Sequence, residues 1–133
     1  MLQEQTQSND EALQFYFQAM NKWLDTFCSR DFTKRQTNIL FFLLSFTVHT
    51  KSLTTHIPTL KDFRNCGVSP TKVKDELEFL VDKHVIFWDK EKMNFTINPY
   101  ADQWDIKRFK DYKNERFKYL VELNKILTTH KIK

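Results

Sequence analysis

Three short groups of cations carry the chemistry that this sequence offers: Lys72 and Lys74, then Lys90 and Lys92, then Lys107, Arg108 and Lys110. Ser69 and Thr71 stand just before the first group. Ammonium, guanidinium and hydroxyl groups are the usual donors to phosphate oxygens, so these residues are the candidates for contact with double-stranded DNA if the fold presents them to it. They do not point to bond-making chemistry. No Ser/His/Asp or Cys/His arrangement stands out along the chain, so no catalytic residue is expected. His49, His56, His84 and His130 have no metal-ligand spacing, and no metal or cofactor is expected. Cys28 and Cys66 have neither metal nor redox spacing and should be free thiols. The only glycine in the sequence, Gly67, excludes the glycine-rich loops that cradle phosphates in nucleotide enzymes.

Charge is unevenly placed. Residues 1–100 hold 12 Lys/Arg against 12 Asp/Glu, while residues 101–133 hold 9 against 5, so the net charge of +4 sits in the C-terminal quarter. An excess of this size fits a solvated helix face as well as nucleic-acid contact. The longest apolar run, 39–46, is far short of a membrane span, and the first residues lack the regions of a signal peptide. A soluble, cytoplasmic, single-domain protein of 133 residues is expected, with no membrane partner.

The donors need elements to hold them. Leu13, Phe17, Met20, Leu24 and Phe27 repeat at steps of four and three, which predicts an amphipathic helix over 10–29 after a frayed polar start at 1–9. Thr33 and Gln36 form a capping box that opens a second helix to about Val48, apolar nearly all round and so central. Residues 51–58 read as a short extended segment, and 59–66 as a short helix stopped by Gly67. Ser69 suits an N-cap and Pro70 the first position of the next helix. Val73, Leu77, Leu80, Val81 and His84 mark its inner stripe and leave Thr71, Lys72, Asp75, Glu78, Phe79 and Asp82 outside. Residues 84–88 and 93–98 read as two strands joined by the charged connection 89–92. After Pro99 a long basic helix is expected over 102–130. Phe109, Tyr112, Leu120, Leu123 and Leu127 would lie along one side of it, with Lys107, Arg108, Lys110 and Lys113 between them.

Helix, short strand, helix, glycine turn, helix and hairpin follow one another as in a winged helix-turn-helix. The expected fold class is mostly α with a small β-hairpin: a winged core at 33–100 flanked by long N- and C-terminal helices. In that arrangement the helix at 69–83 enters the DNA major groove and the hairpin at 84–98 is the wing. Residues 72–82 sum to −2, so attraction to phosphate must come from the helix start, from Lys90 and Lys92, and from the basic C-terminal helix. Leu40, Leu43, Leu77, Leu80 and Ile86 should form the core, with Trp23, Trp88 and Trp104 as anchors in it. The two terminal apolar stripes need cover, and a homodimer built from those helices is expected.

Three stretches carry a family likeness: RQTNIL at 35–40, VSPTKVKDELEFLVDKHVI at 68–86 and FTINPYADQW at 95–104. In this order they resemble the N-terminal domain of phage replication protein O, a family of replication initiators. The shared pattern falls on Arg35, Gln36, Ile39, Leu40, Leu77, Leu80, Val85, Ile86, Asn98 and Trp104. His84 stands where the family usually has a second glycine, and FTVHTKS where it has an aromatic-glycine pair. The resemblance implies a non-enzymatic DNA-binding role in phage replication initiation, with the replicative helicase or its loader as a partner. The flanking helices also resemble dimeric MarR-type transcription regulators, although the wing DKEKMNF lacks their Asp-x-Arg pair. A protein-interaction module of a helicase-loading complex is the third alternative, and the acidic helix suits it.

Overall fold

Tyr16, Ala19 and Trp23 are buried along one side of α1 (Leu2–Ser29) in the computed structural model, which describes residues 2–132, with side chains from 10 to 129. This is not the stripe that the spacing suggests. Met20 and Phe27 do pack on the core, but Phe17 and Leu24 remain 53% and 47% exposed. Trp23 decides the rotation: it offers the largest apolar area on the helix, and its indole N–H finds a buried acceptor, the Asn98 carbonyl, at 2.8 Å. The helix also begins at Leu2 and not at Asp10, because no proline or glycine interrupts the favourable Leu, Gln and Glu of this stretch. Met1 and the side chain of His130 lie outside the described residues.

The capping box of α2 (Lys34–Thr50) forms as expected. The Gln36 N–H donates to Thr33 Oγ1 at 3.3 Å, and the Thr33 N–H to Gln36 Oε1 at 3.0 Å. Ile39, Leu40, Leu43 and Leu44 face inward, while Phe41 and Val48 stay exposed. A short strand β1 (Thr54–His56) and a 3-10 helix (Leu60–Cys66) follow, and Gly67 stops the latter at φ 84°. Then come α3 (Pro70–Asp82), β2 (Ile86–Asp89) and β3 (Asn94–Ile97). The strands make one antiparallel sheet in the order β1-β3-β2, so β1 closes the outer edge of the hairpin. The fold is mostly α with a small antiparallel sheet, as the order of elements implied. Leu40, Leu43, Leu77, Leu80 and Ile86 are all buried in one cluster with Phe63 and Phe95. Trp23 and Trp104 are buried with them, and half-buried Trp88 stacks on Phe95 at 5.5 Å.

α3 passes into β2 without a glycine. The His84 N–H donates to the Val81 carbonyl at 3.1 Å and the Val85 N–H to the Leu80 carbonyl at 2.9 Å, the two bonds of a Schellman stop. His84 takes the left-handed conformation there, with φ 61°. It is exposed, not part of the inner stripe, and β2 starts two residues later than expected, at Ile86. The hairpin turn is 90–93, where Asp89 Oδ1 accepts the N–H groups of Glu91 and Lys92, both at 3.2 Å.

The C-terminal helix differs most from expectation. α4 (Asn114–Ile132) begins twelve residues beyond position 102. In between, a 3-10 turn (Ala101–Gln103) leads into extended chain, in which Trp104 and Ile106 alternate into the core. This segment pairs with the end of α1: the Asp31 N–H donates to the Lys107 carbonyl at 2.9 Å and the Phe109 N–H to the Ser29 carbonyl at 3.0 Å. Burial of Trp104, with its N–H on the Asn98 carbonyl at 3.1 Å, overrides a helix-favouring composition. Among the described residues α4 packs against no other element, and Leu120 and Leu127 are exposed. No described helix is long and apolar enough to cross a membrane.

A left-handed residue with a Cβ costs about 1–2 kcal/mol, partly offset by the greater freedom glycine has in the unfolded chain. His84→Gly should therefore raise stability by roughly 0.5–1 kcal/mol, read as a higher urea midpoint with an unchanged m-value. A lower midpoint would mean that the His84 side chain itself holds the turn.

Candidate nucleic-acid interface

The start of α3 is built by Ser69 and Pro70. Ser69 is extended at φ −71° and ψ 151°, and Pro70 occupies the first helical turn, where it loses no hydrogen bond. The Ser69 hydroxyl does not cap the helix; it lies 3.0 Å from Thr71 Oγ1. The two hydroxyls therefore stand together at the positive end of the helix dipole. Lys72 and Lys74 are exposed beside them and form no ion pair among the described residues. Ser69, Thr71, Lys72 and Lys74 thus line the first two turns of α3, with Lys72 and Lys74 on opposite flanks of buried Val73.

The hairpin lysines part company. Lys90 Nζ lies 3.4 Å from Glu78 Oε1 and 4.8 Å from the centre of the Trp88 ring. It straps the hairpin to α3, an exposed contact worth at most about 1 kcal/mol. Lys92 is exposed at the turn and forms no ion pair among the described residues. Along α3 itself, Asp75, Glu78 and Asp82 are exposed, and of these only Glu78 meets a cation. Phe79 is also open, with Lys83 Nζ 5.8 Å from its ring.

The third group does not form one patch, because extended chain sends successive side chains to opposite sides. Lys107 lines a cleft of about 390 Å³ at the far end of α3, beside Phe79, Lys83 and Asp105. Arg108 lines a separate cleft against Lys22, Asp25 and Lys118. Lys110 lies in the following turn. Directly opposite Arg108 stands Arg30, which the sequence reading did not single out. The period-two run Trp104, Ile106, Arg108 is the signal that marks this segment as extended, yet nothing local pairs it with residue 30.

The start of α3 offers two ammonium groups and two hydroxyls that can donate, which suits an anionic partner. Among the described residues no group of three or more His, Cys, Asp or Glu is placed to hold a metal ion. At the other end of α3, buried Asn98 joins the turn after the helix to α1 and to Trp104. A family model described as bacteriophage replication protein O matches residues 12–104, from within α1 to the last buried tryptophan. No curated protein and no solved structure matches the chain. The match takes in α1 as well as the segment that carries the sequence likeness, in keeping with the tie from Trp23 to Asn98. A match over well over half of the sequence, with its capping box, helix pair, hairpin and Asn98–Trp104 contact in place, places the chain in the bacteriophage replication protein O family, with a role in phage DNA replication.

Proposed function

We propose that this protein binds duplex DNA as a winged helix-turn-helix during phage replication initiation, with no chemistry of its own. The observation that carries the proposal is the donor set of Ser69, Thr71, Lys72 and Lys74, exposed at the positive end of α3. The start of α3 enters the major groove, where its hydroxyls and ammonium groups meet base edges and flanking phosphates. Lys92 reaches a neighbouring phosphate from the wing, and Lys90 joins it by exchanging Glu78 for phosphate. Lys107 and Lys110 add backbone contacts from the extended segment. The acidic later turns of α3 stay outside the groove. The protein partner implied by this role is the replicative helicase or its loader. A second reading, a protein-docking module, rests on exposed Phe79 among Asp75, Glu78 and Asp82.

A homodimer is part of the proposal. Phe17 and Leu24 on α1, and Leu120 and Leu127 on α4, are open apolar side chains on two helices that do not pack on each other. A second copy covers them at the smallest cost in new surface, because each chain brings both faces.

Fluorescence anisotropy with duplex fragments of phage DNA, at several salt concentrations, tests the DNA proposal. Wild-type affinity should fall steeply with salt, and Lys72→Glu plus Lys74→Glu should abolish binding with the circular dichroism unchanged. Lys72→Gln alone should reduce the log–log salt slope by about one. Undiminished binding by the double variant would remove α3 from the interface, and a wild type that ignores duplex DNA would favour the docking module. Sedimentation at micromolar concentration should give a dimer, and a single monomeric species would overturn that part.

A further inference from the structure

We infer that Arg30 and Arg108 form a phosphate-binding site of their own, in the cleft between the end of α1, the extended segment and the start of α4. No α3 residue lines this cleft. The geometry starts from the backbone. The Asp31 N–H to Lys107 carbonyl and Phe109 N–H to Ser29 carbonyl bonds flank the antiparallel pair Arg30 and Arg108 on both sides. That makes it the non-hydrogen-bonded kind of pair, the closer of the two, with Cα atoms roughly 4.5 Å apart and side chains leaving on the same side. Like charges directly opposite one another destabilise a ladder. Here burial of Trp104 and Ile106 fixes the register, and both arginines line one cleft.

Neither arginine forms an ion pair among the described residues, and Arg30 Nε is buried without a hydrogen-bond partner. Burial, and after it the neighbouring Arg108, push the Arg30 guanidinium below its ordinary proton affinity, although it remains charged at neutral pH. Arg108 lies 5.7 Å from the Tyr112 ring, which holds its plane but carries no formal charge. The cleft, of about 330 Å³, has Lys22, Arg30, Arg108 and Lys118 against Asp25 and Asp102, a net positive lining.

The donor set selects the ligand. A carboxylate carries a single charge and presents the lone pairs of its two oxygens in one plane. A tetrahedral phosphate presents three or four oxygens and can satisfy two forks from two directions. Such an oxyanion is either free phosphate, alone or ending a nucleotide, or the phosphodiester backbone of DNA. Either would offset the repulsion between the two guanidinium groups.

Thermal unfolding in sodium phosphate against sodium chloride of equal ionic strength tests the site. Phosphate should raise the Tm of the wild-type protein by roughly 3 °C or more, and the rise should vanish in Arg30→Gln and in Arg108→Gln. Calorimetric titration of the wild type with inorganic phosphate needs no variant and should give saturable binding. Lys72→Glu plus Lys74→Glu should keep the phosphate response, so failure of the DNA proposal would leave this site standing. Duplex titrations separate the two sources. A salt slope reduced by about one in each arginine variant assigns the backbone phosphate, and an unchanged slope assigns a small phosphate. No phosphate-specific rise in the wild type, or an equal rise in both variants, would overturn the site.

Discussion

The backbone carbonyl of Asn98 accepts two indole N–H groups, from Trp23 at 2.8 Å and from Trp104 at 3.1 Å. Its side-chain amide donates to the His84 carbonyl at 2.8 Å and to Gln103 Oε1 at 3.0 Å, while Oδ1 accepts the Tyr100 N–H at 3.0 Å. Its own N–H reaches the Val85 carbonyl at 2.8 Å. Asn98 is fully buried and its polar groups are all used. Bonds of this kind are stronger in a dry interior, and each one left unmade there costs about 1–3 kcal/mol. Four parts of the chain meet at this residue: α1, the turn that ends α3, the hairpin's return strand and the segment leading to α4. The tie between the end of α3 and α1 runs through that meeting.

What the sequence made legible was local. The capping box at Thr33 and Gln36, the stop at Gly67, the Ser69–Pro70 start and the alternation in β3 all depend on neighbours a few residues away. The core leucines followed from helical spacing in the same way. Long-range contacts decided the rest. α1 carries two neighbouring apolar stripes, and the choice between them was made by Trp23 bonding to a residue 75 positions away. The start of α4 was misplaced because Trp104 and Ile106 bury more apolar surface in extended chain than a helix would have allowed them. Ser69 and Thr71 are neighbours because one helix start holds them. The division of Lys107 from Arg108, and the tie from Lys90 to Glu78, arise only once strand and hairpin are in place.

His84 shows how a familiar pattern and a physical need can disagree. The stop after α3 requires a left-handed residue, which the likeness to replication protein O marks as a usual glycine, and this chain supplies histidine. The Asn98 amide on the His84 carbonyl holds the turn in place despite that cost. The electrostatics of α3 follow a related division. Within α3, Lys72 and Lys74 precede the carboxylates Asp75, Glu76, Glu78 and Asp82, and the proposed contact uses the first turns.

That asymmetry is the central claim, and amide chemical-shift mapping reads it residue by residue. In ¹H–¹⁵N spectra of the protein titrated with a duplex from phage DNA, the largest changes should fall on 69–74 and on Lys92. The amides of the acidic turns 75–82 should move little. Changes confined to those acidic turns, or absent along α3 altogether, would contradict the account.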